Sequence, residues 1–173
     1  MKKAVMMFLA LLLSAGFAAA QPTVDGRVAP GEYTRSIPVV DGAATVSYQF
    51  DAGGGLAVAV SAATTGWVGI GLGSEVMDGA HIFMGFIKDG APVFSEQVGQ
   101  GHSHHESSVK FADASAVSQS GGTTTIEFHI PAGKVPLAGT AVTFIVAFSG
   151  SADLTTYHED TRDGGTMDMT ASK

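Results

Sequence analysis

GWVGIGLGSEVMDGAHIFMGF, residues 66–86, decides how this chain is read. It parses as a strand, a short polar loop and a second strand. Successive side chains along a strand point to opposite sides. Over residues 67–72 that puts Trp67, Gly69 and Gly71, with Gly73 beyond, on one face and Val68, Ile70 and Leu72 on the other. Glycine weakens a strand and offers nothing to pack, so a run of it on one face marks a close approach of another backbone or of a ligand. The loop then presents Met77 between Val76 and Asp78, where packing gives no reason for a thioether. A facing sheet packed tightly on the glycines and a ligand lying on them remain equal readings at this point.

The flanking sequence repeats the same kind of element. Residues 45–50 alternate, residues 51–55 (DAGGG) turn, and residues 56–62 (LAVAVSA) return as the second arm of a hairpin. Further strands are expected at 80–87, 92–98, 123–130 (TTTIEFHI, stopped by Pro131) and 166–170, with a short one at 109–111. Residues 141–149 (AVTFIVAFS) are nearly all apolar and read as a central strand buried on both faces. Residues 24–33 are turn-rich and are expected to cover one end of the domain. Residues 99–108 (GQGHSHHESS) read as a polar, mobile loop, and 112–122 as a second loop. No stretch has the period of an amphipathic helix, and no internal repeat is present. Eight to ten short strands at this spacing predict an all-β fold, an antiparallel β-sandwich of two sheets with immunoglobulin-like architecture. The 23 glycines and a charged fraction of only 14% agree with strands rather than helices.

The N-terminus reads differently. Lys2 and Lys3, an apolar run over 4–15 and Ala18-Ala19-Ala20 before Gln21 have the layout of a secretory signal peptide. The expected organisation is a signal peptide at 1–20 and one domain at 21–173, exported to the periplasm or the extracellular space. No segment reaches the roughly 18 apolar residues of a membrane span. Without Lys2 and Lys3, nine basic residues become seven against sixteen acids, a formal charge of −9. That balance argues against nucleic acid and anionic membrane surfaces as partners. The count of zero cysteines excludes disulfides, covalent c-type haem, thiolate iron–sulfur clusters and cysteine nucleophiles.

No nucleophile–base motif, P-loop or metalloprotease motif occurs. Three histidine features are candidates for chemistry. His102, His104 and His105 have a spacing that suits zinc, copper or nickel, although flexible His-rich loops bind metals adventitiously. His81 and His129 lie inside expected strands, where a packed or surface role is commoner than a ligand role. His158 follows Tyr157 near Arg162. Met77 is a soft ligand candidate.

Together, Gly66-Trp67-Val68-Gly69-Ile70-Gly71-Leu72-Gly73, Met77-Asp78-Gly79-Ala80, Tyr157-His158 and Arg162 resemble the DOMON domain family. So do Val24-Asp25-Gly26 and Gly31-Glu32-Tyr33 at the start. The resemblance runs from about Val24 to Met169. It implies a secreted β-sandwich that binds haem or sugars. In the haem-binding branch, which includes the cytochrome domain of cellobiose dehydrogenase, one Met and one His hold a b-type haem, and the matching positions here are Met77 and His158. The resemblance therefore implies non-covalent haem b with Met77 and His158 as axial iron ligands. Trp67, Gly69, Gly71 and Gly73 would admit the macrocycle, or Val68, Ile70 and Leu72 would line it on the opposite face, and Arg162 is either a partner for a propionate or a plain surface residue. It implies an electron carrier serving a redox partner protein, not an enzyme. Family members often carry an acid where His81 stands, which makes His81 an alternative ligand or a bystander. A sugar- or small-ligand-binding module without haem, and a metal-binding protein using His102, His104 and His105, are the competing functions.

Overall fold

The computed structural model describes residues 20–158 and 161–170. The signal-peptide expectation falls on residues outside this range, apart from Ala20. In chain order the strands are β1 (Arg35–Val39), β2 (Ala44–Phe50), β3 (Leu56–Ala62), β4 (Val68–Leu72), β5 (His81–Lys88), β6 (Ala91–Gln100), β7 (Ser103–Glu106), β8 (Ala114–Ser120), β9 (Thr123–Ile130), β10 (Ala141–Phe148) and β11 (Arg162–Asp168). They form two antiparallel sheets, one ordered β1-β2-β3-β9-β8 and the other β11-β10-β4-β5-β6-β7. The fold is the expected all-β sandwich. Among the described residues, no helix is long and apolar enough to cross a membrane.

Alternation builds the core. Val58, Val60, Ile126 and Phe128 from one sheet meet Val68, Ile70, Leu72, Phe83 and Phe144 from the other, all fully or almost fully buried. Phe83 and Phe128 stack across the interface with ring centroids 4.1 Å apart and planes 12° from parallel. Burying each such side chain contributes about 1.5–3 kcal/mol. This decides which face of β4 looks inward. Val68, Ile70 and Leu72 are core residues, and the glycines lie on the outside.

Several elements differ from the expectation, each for a physical reason. β7 forms within residues 99–108 because it folds back on β6, pairing Gly99 with His104 and Val98 with His105. Backbone hydrogen bonds hold this edge strand, and its polar sequence carries no alternation to reveal it. β8 is likewise an edge strand, inside the expected loop 112–122. β1 was missed because Pro38 interrupts its pattern, and proline is tolerated on an edge. Residues 109–111 are not a strand; Phe111 turns in to stack on His81. β11 starts at Arg162, ahead of the expected 166, because Gly164 and Gly165 stay extended opposite Ile145 and Phe144. β10 alternates buried and half-buried positions and is not buried on both faces throughout.

The outer face of the five-stranded sheet is covered by residues 23–33. Glu127, buried on that face, accepts hydrogen bonds from the backbone N–H groups of Asp25 (3.1 Å), Gly26 (2.6 Å) and Arg27 (3.0 Å) and from the Tyr33 hydroxyl (2.9 Å). Tyr33 packs there on Ala57 and Ala59. Gly26, with φ of +85°, lies close enough to Ser118 that a Cβ would stand 3.1 Å from the serine Cβ. The turn-rich N-terminal segment is thus a strap over one sheet, held by the Glu127 carboxylate and by Ser118 Oγ, which donates to the Gly26 carbonyl.

Candidate functional site

The outer face of the six-stranded sheet is built differently. Directly opposed residues in antiparallel strands share a face. The registers therefore give cross-sheet rows on this side. One row runs Arg162, Ala147, Gly69, Met84, Ser95, and the next runs Gly164, Ile145, Gly71, Ile82, Gln97. Trp67 precedes Gly69 on the same side, with Phe86 and Val93 beyond it. Trp67, Ala80, Ile82, Met84 and Phe86 form a second buried apolar cluster, edged by Met77, Ile145, Ala147 and Leu154. This sheet is apolar on both faces. The glycines make the low centre of the outer one. A Cβ at Gly69 would meet Met84 Cγ at 3.2 Å, and one at Gly71 would meet Ile145 Cγ1 at 2.9 Å and Ala80 Cβ at 3.0 Å. Beside this floor lies a shallow cleft of about 270 Å³ whose lining includes Glu75, Thr143, Gly164 and Thr166.

Two loops close the ends of the floor. Phe148 pairs with Val68 and Phe144 with Leu72, so the end of β10 lies beside the start of β4. The β4–β5 loop carries Met77 at one end, and the β10–β11 loop carries His158 at the other. The Met77 loop is clasped to the β6–β7 hairpin. Ala80 N–H donates to the Met77 carbonyl (3.1 Å), Gly79 N–H to the Gly99 carbonyl (3.1 Å) and Gly99 N–H to the Ala80 carbonyl (2.9 Å). Gly101 N–H donates to Asp78 Oδ1 (2.8 Å). A Cβ at Gly99 would land on the Met77 carbonyl oxygen. At the other end, Trp67 N–H donates to the Ser151 carbonyl (2.8 Å) and Ser149 N–H to the Trp67 carbonyl (3.0 Å). Thr161 N–H donates to the His158 carbonyl (3.1 Å), and the His158 ring lies 4.5 Å from that of Tyr157. Arg162 Nη1 donates to the Tyr157 hydroxyl oxygen (3.4 Å). The floor, Trp67 and Arg162 thus share one face, and the Met77 and His158 loops leave its two opposite ends.

The other histidines lie elsewhere. His81 points between the sheets, away from the glycine floor. Its Nε2 is 2.7 Å from Glu96 Oε2 and its ring stacks on Phe111 at 4.0 Å. Glu96 also accepts the N–H groups of Phe111 (2.7 Å) and Ala112 (3.3 Å). His81 is a core residue that ties the 107–113 segment down, which corrects its reading as an alternative ligand. His102 lies in the hairpin turn, and His104 and His105 fall on opposite faces of β7, because neighbours on a strand alternate. Among the described residues no three His, Asp or Glu side chains gather as a metal site, so His102, His104 and His105 do not converge. Burial, with His105 nearby, lowers the pKa of His104, whose Nδ1 is 3.4 Å from Gln97 Oε1. His129 lies on the far sheet, with Nδ1 2.7 Å from Asp113 and Nε2 3.3 Å from Asp51.

One feature of the site escaped the sequence reading. The Trp67 side chain is 4% exposed, and its Nε1 has no hydrogen-bond partner among the described residues. Apolar runs on β5 and β10 signal only that the strands are covered on both sides; they carry no sign of an unpaired indole N–H.

A two-sheet antiparallel sandwich, strapped over the outer side of one sheet and carrying glycines and an apolar cluster on the outer side of the other, is the class of fold these strands define. The chain belongs to the DOMON domain family, whose model matches residues 40–134. That match contains Met77 and stops short of His158 and Arg162. The fold is similar to the cytochrome b domain of pyranose dehydrogenase from Coprinopsis cinerea, with a TM-score of 0.60 at 19% identity over 78% of this chain and 80% of that one. It is also similar to the cytochrome domain of Myriococcum thermophilum cellobiose dehydrogenase, with a TM-score of 0.54 at 12% identity over 73% of this chain and 74% of that one. At these identities the likeness is one of fold. Comparison with curated protein sequences finds no match.

Proposed function

We propose that this protein is an exported b-type cytochrome domain, residues 21–173, in which Met77 and His158 would hold the iron of a non-covalent haem b beside the glycine-bearing outer face. The observation that carries the reading is the outer face itself: an apolar cluster with glycines at 69 and 71, continued at one end by a loop with a thioether and at the other by a loop with an imidazole. The fold shared with two cytochrome domains supports it. The residues fit the group chemically. A flat macrocycle needs apolar walls, a Met/His pair is an established haem ligand set, and non-covalent binding needs no cysteine. Met84 and Ile145 occupy the space over Gly69 and Gly71 and would have to move aside to admit it. When bound, the haem carries one electron reversibly. Arg162, which holds Tyr157 by its hydroxyl, is in reach of a propionate. With both axial positions filled by side chains, no position remains for a substrate, so the role is electron transfer with a partner protein.

The test is the absorption spectrum of the protein produced with haem supplied. A Soret band and sharp low-spin bands on reduction are expected. Met77→Ala and His158→Ala should each turn the spectrum high-spin or lose the haem. An unchanged spectrum in either variant removes that residue, and a colourless protein ends the reading.

A further inference from the structure

The Trp67 indole N–H is buried without an acceptor at the edge of the candidate site. Buried polar groups are almost always paired, and each exception needs an explanation. Trp67 is fixed in place: its backbone N–H and carbonyl bond to residues 151 and 149, and its ring packs in the outer-face cluster with Phe86 and Leu154 nearby. The indole has only a donor to offer. Arg162, which lies one row along and two strands over on the same face, also has only donors. A ligand edge meeting both must accept hydrogen bonds, and the guanidinium charge favours an anion.

We propose that Trp67 Nε1–H is a carboxylate donor of the outer-face site, and that with Arg162 it receives the acidic edge of the ligand, a haem propionate. This rests on the haem reading above and adds to it a role for the indole nitrogen. The orphaned N–H is thereby explained as half of a hydrogen bond completed on binding. A neutral donor inside and a charged donor at the rim distinguish the carboxylate edge of the macrocycle from its methyl and vinyl edges, so the pair sets which way round the ligand enters.

Trp67 is the single tryptophan of the chain, which makes its emission a reporter of this position. Haem is titrated into the full-length exported protein while the Soret band and tryptophan fluorescence are followed together. Emission falling in step with Soret growth is expected. A Soret band without quenching places the haem away from Trp67 and overturns the proposal while leaving a haem protein. Neither signal overturns the haem reading itself. The titration is then repeated on Trp67→Phe with haem and with haem dimethyl ester, whose propionates are capped. A hydrogen bond to a charged group makes the expected loss for haem about ten- to hundredfold, with a change under about threefold for the ester. Equal losses for the two would mean that the ring only packs, and would refute the donor role. Should Trp67→Phe fold poorly, ultraviolet resonance Raman on the unmodified protein reads the same bond. The indole N–H mode should shift to its hydrogen-bonded position with haem and shift less with the ester; no shift with haem refutes the proposal.

Discussion

Gly99→Ala should break the hold on Met77 from a distance. Gly99 sits on β6, across from the β4–β5 loop, and the space where its side chain would stand is taken by the Met77 carbonyl. A backbone carbonyl cannot rotate away as a side chain does, so the methyl pushes the loop off the hairpin. The clasp consists of the Gly79 N–H to Gly99 bond (3.1 Å), the Gly99 N–H to Ala80 bond (2.9 Å) and the Gly101 N–H to Asp78 bond (2.8 Å). Losing two or three of them at about 1 kcal/mol each costs about 2–3 kcal/mol. For a domain of about 150 residues that lowers Tm by roughly 4–12 °C. Gly69→Ala is the matched control. Its methyl meets Met84 Cγ at 3.2 Å and Cε at 3.5 Å, a side chain and not a backbone carbonyl, and replacing glycine in a strand recovers about 0.5–1 kcal/mol, so stability should stay within about 1 kcal/mol. Urea denaturation of both variants gives the comparison, and in the haem-loaded protein Gly99→Ala should also weaken the low-spin spectrum by displacing Met77. If Gly99→Ala costs no more than Gly69→Ala, the clasp is not what positions the loop.

Glu127→Ala should cost about 3 kcal/mol by leaving the Tyr33 hydroxyl and three backbone N–H groups of the strap without their acceptor; urea midpoints measure the loss, and limited proteolysis should cut first within residues 23–33. Burial raises the pKa of Glu127, against the opposing pull of its Tyr33 and backbone hydrogen bonds. This raised folded-state value makes its contribution greatest below the ordinary carboxylate range and progressively lost as pH rises through the folded pKa; a Glu127→Gln variant should lack that slope in a stability profile. Burial alone would lower the pKa of His129, but the hydrogen bonds and charges of Asp113 and Asp51 outweigh it and the net shift is upward. Its contribution is therefore full below about pH 6.5 and lost as pH rises through the folded value. Asp113→Asn should flatten that loss, and an unaltered profile would show that the pair is too exposed to matter.

How much of this was legible beforehand depends on what each residue leaves in the pattern. The core strands could be read because Val68, Ile70, Leu72, Phe83, Ile126 and Phe128 alternate with residues of another kind. Edge strands β1, β7 and β8 could not, since backbone pairing with a neighbour holds them and demands little of their side chains. Met77 stood out because a thioether in a polar loop lacks a packing reason. The face on which the glycines lie was undecidable from residues 66–73 alone, because both sides of β4 are compatible with burial; the registers with β5 and β10 settle it. His81 takes the packed role that is commoner for a histidine inside a strand, but its partner was not legible: Glu96 lies fifteen positions on, in a strand whose pairing had to be known first. The Trp67 N–H had no signal at all, since the absence of a partner is a property of the folded surroundings.

The two outer faces of the sandwich solve the same problem differently. Each sheet has its inner side on the common core, so each outer side must be either polar or covered. The five-stranded sheet is both: Ser47, Gln49, Thr125 and Glu127 point outward, and the 23–33 strap closes over them through the Glu127 carboxylate and Ser118 Oγ. The six-stranded sheet carries Trp67, Ile82, Met84 and Phe86 on its outer side, all buried, and Met77, Val93, Ile145 and Leu154 pack against them in place of a strap. Among the described residues the Trp67 Nε1 has no acceptor there. The haem proposed for this face would displace part of that apolar cover. A ligand bound there would stabilise the fold by mass action, so the melting temperature should rise with haem concentration in the unmodified protein. In Met77→Ala/His158→Ala it should rise less at the same concentration, since the apolar face alone remains to hold the ring.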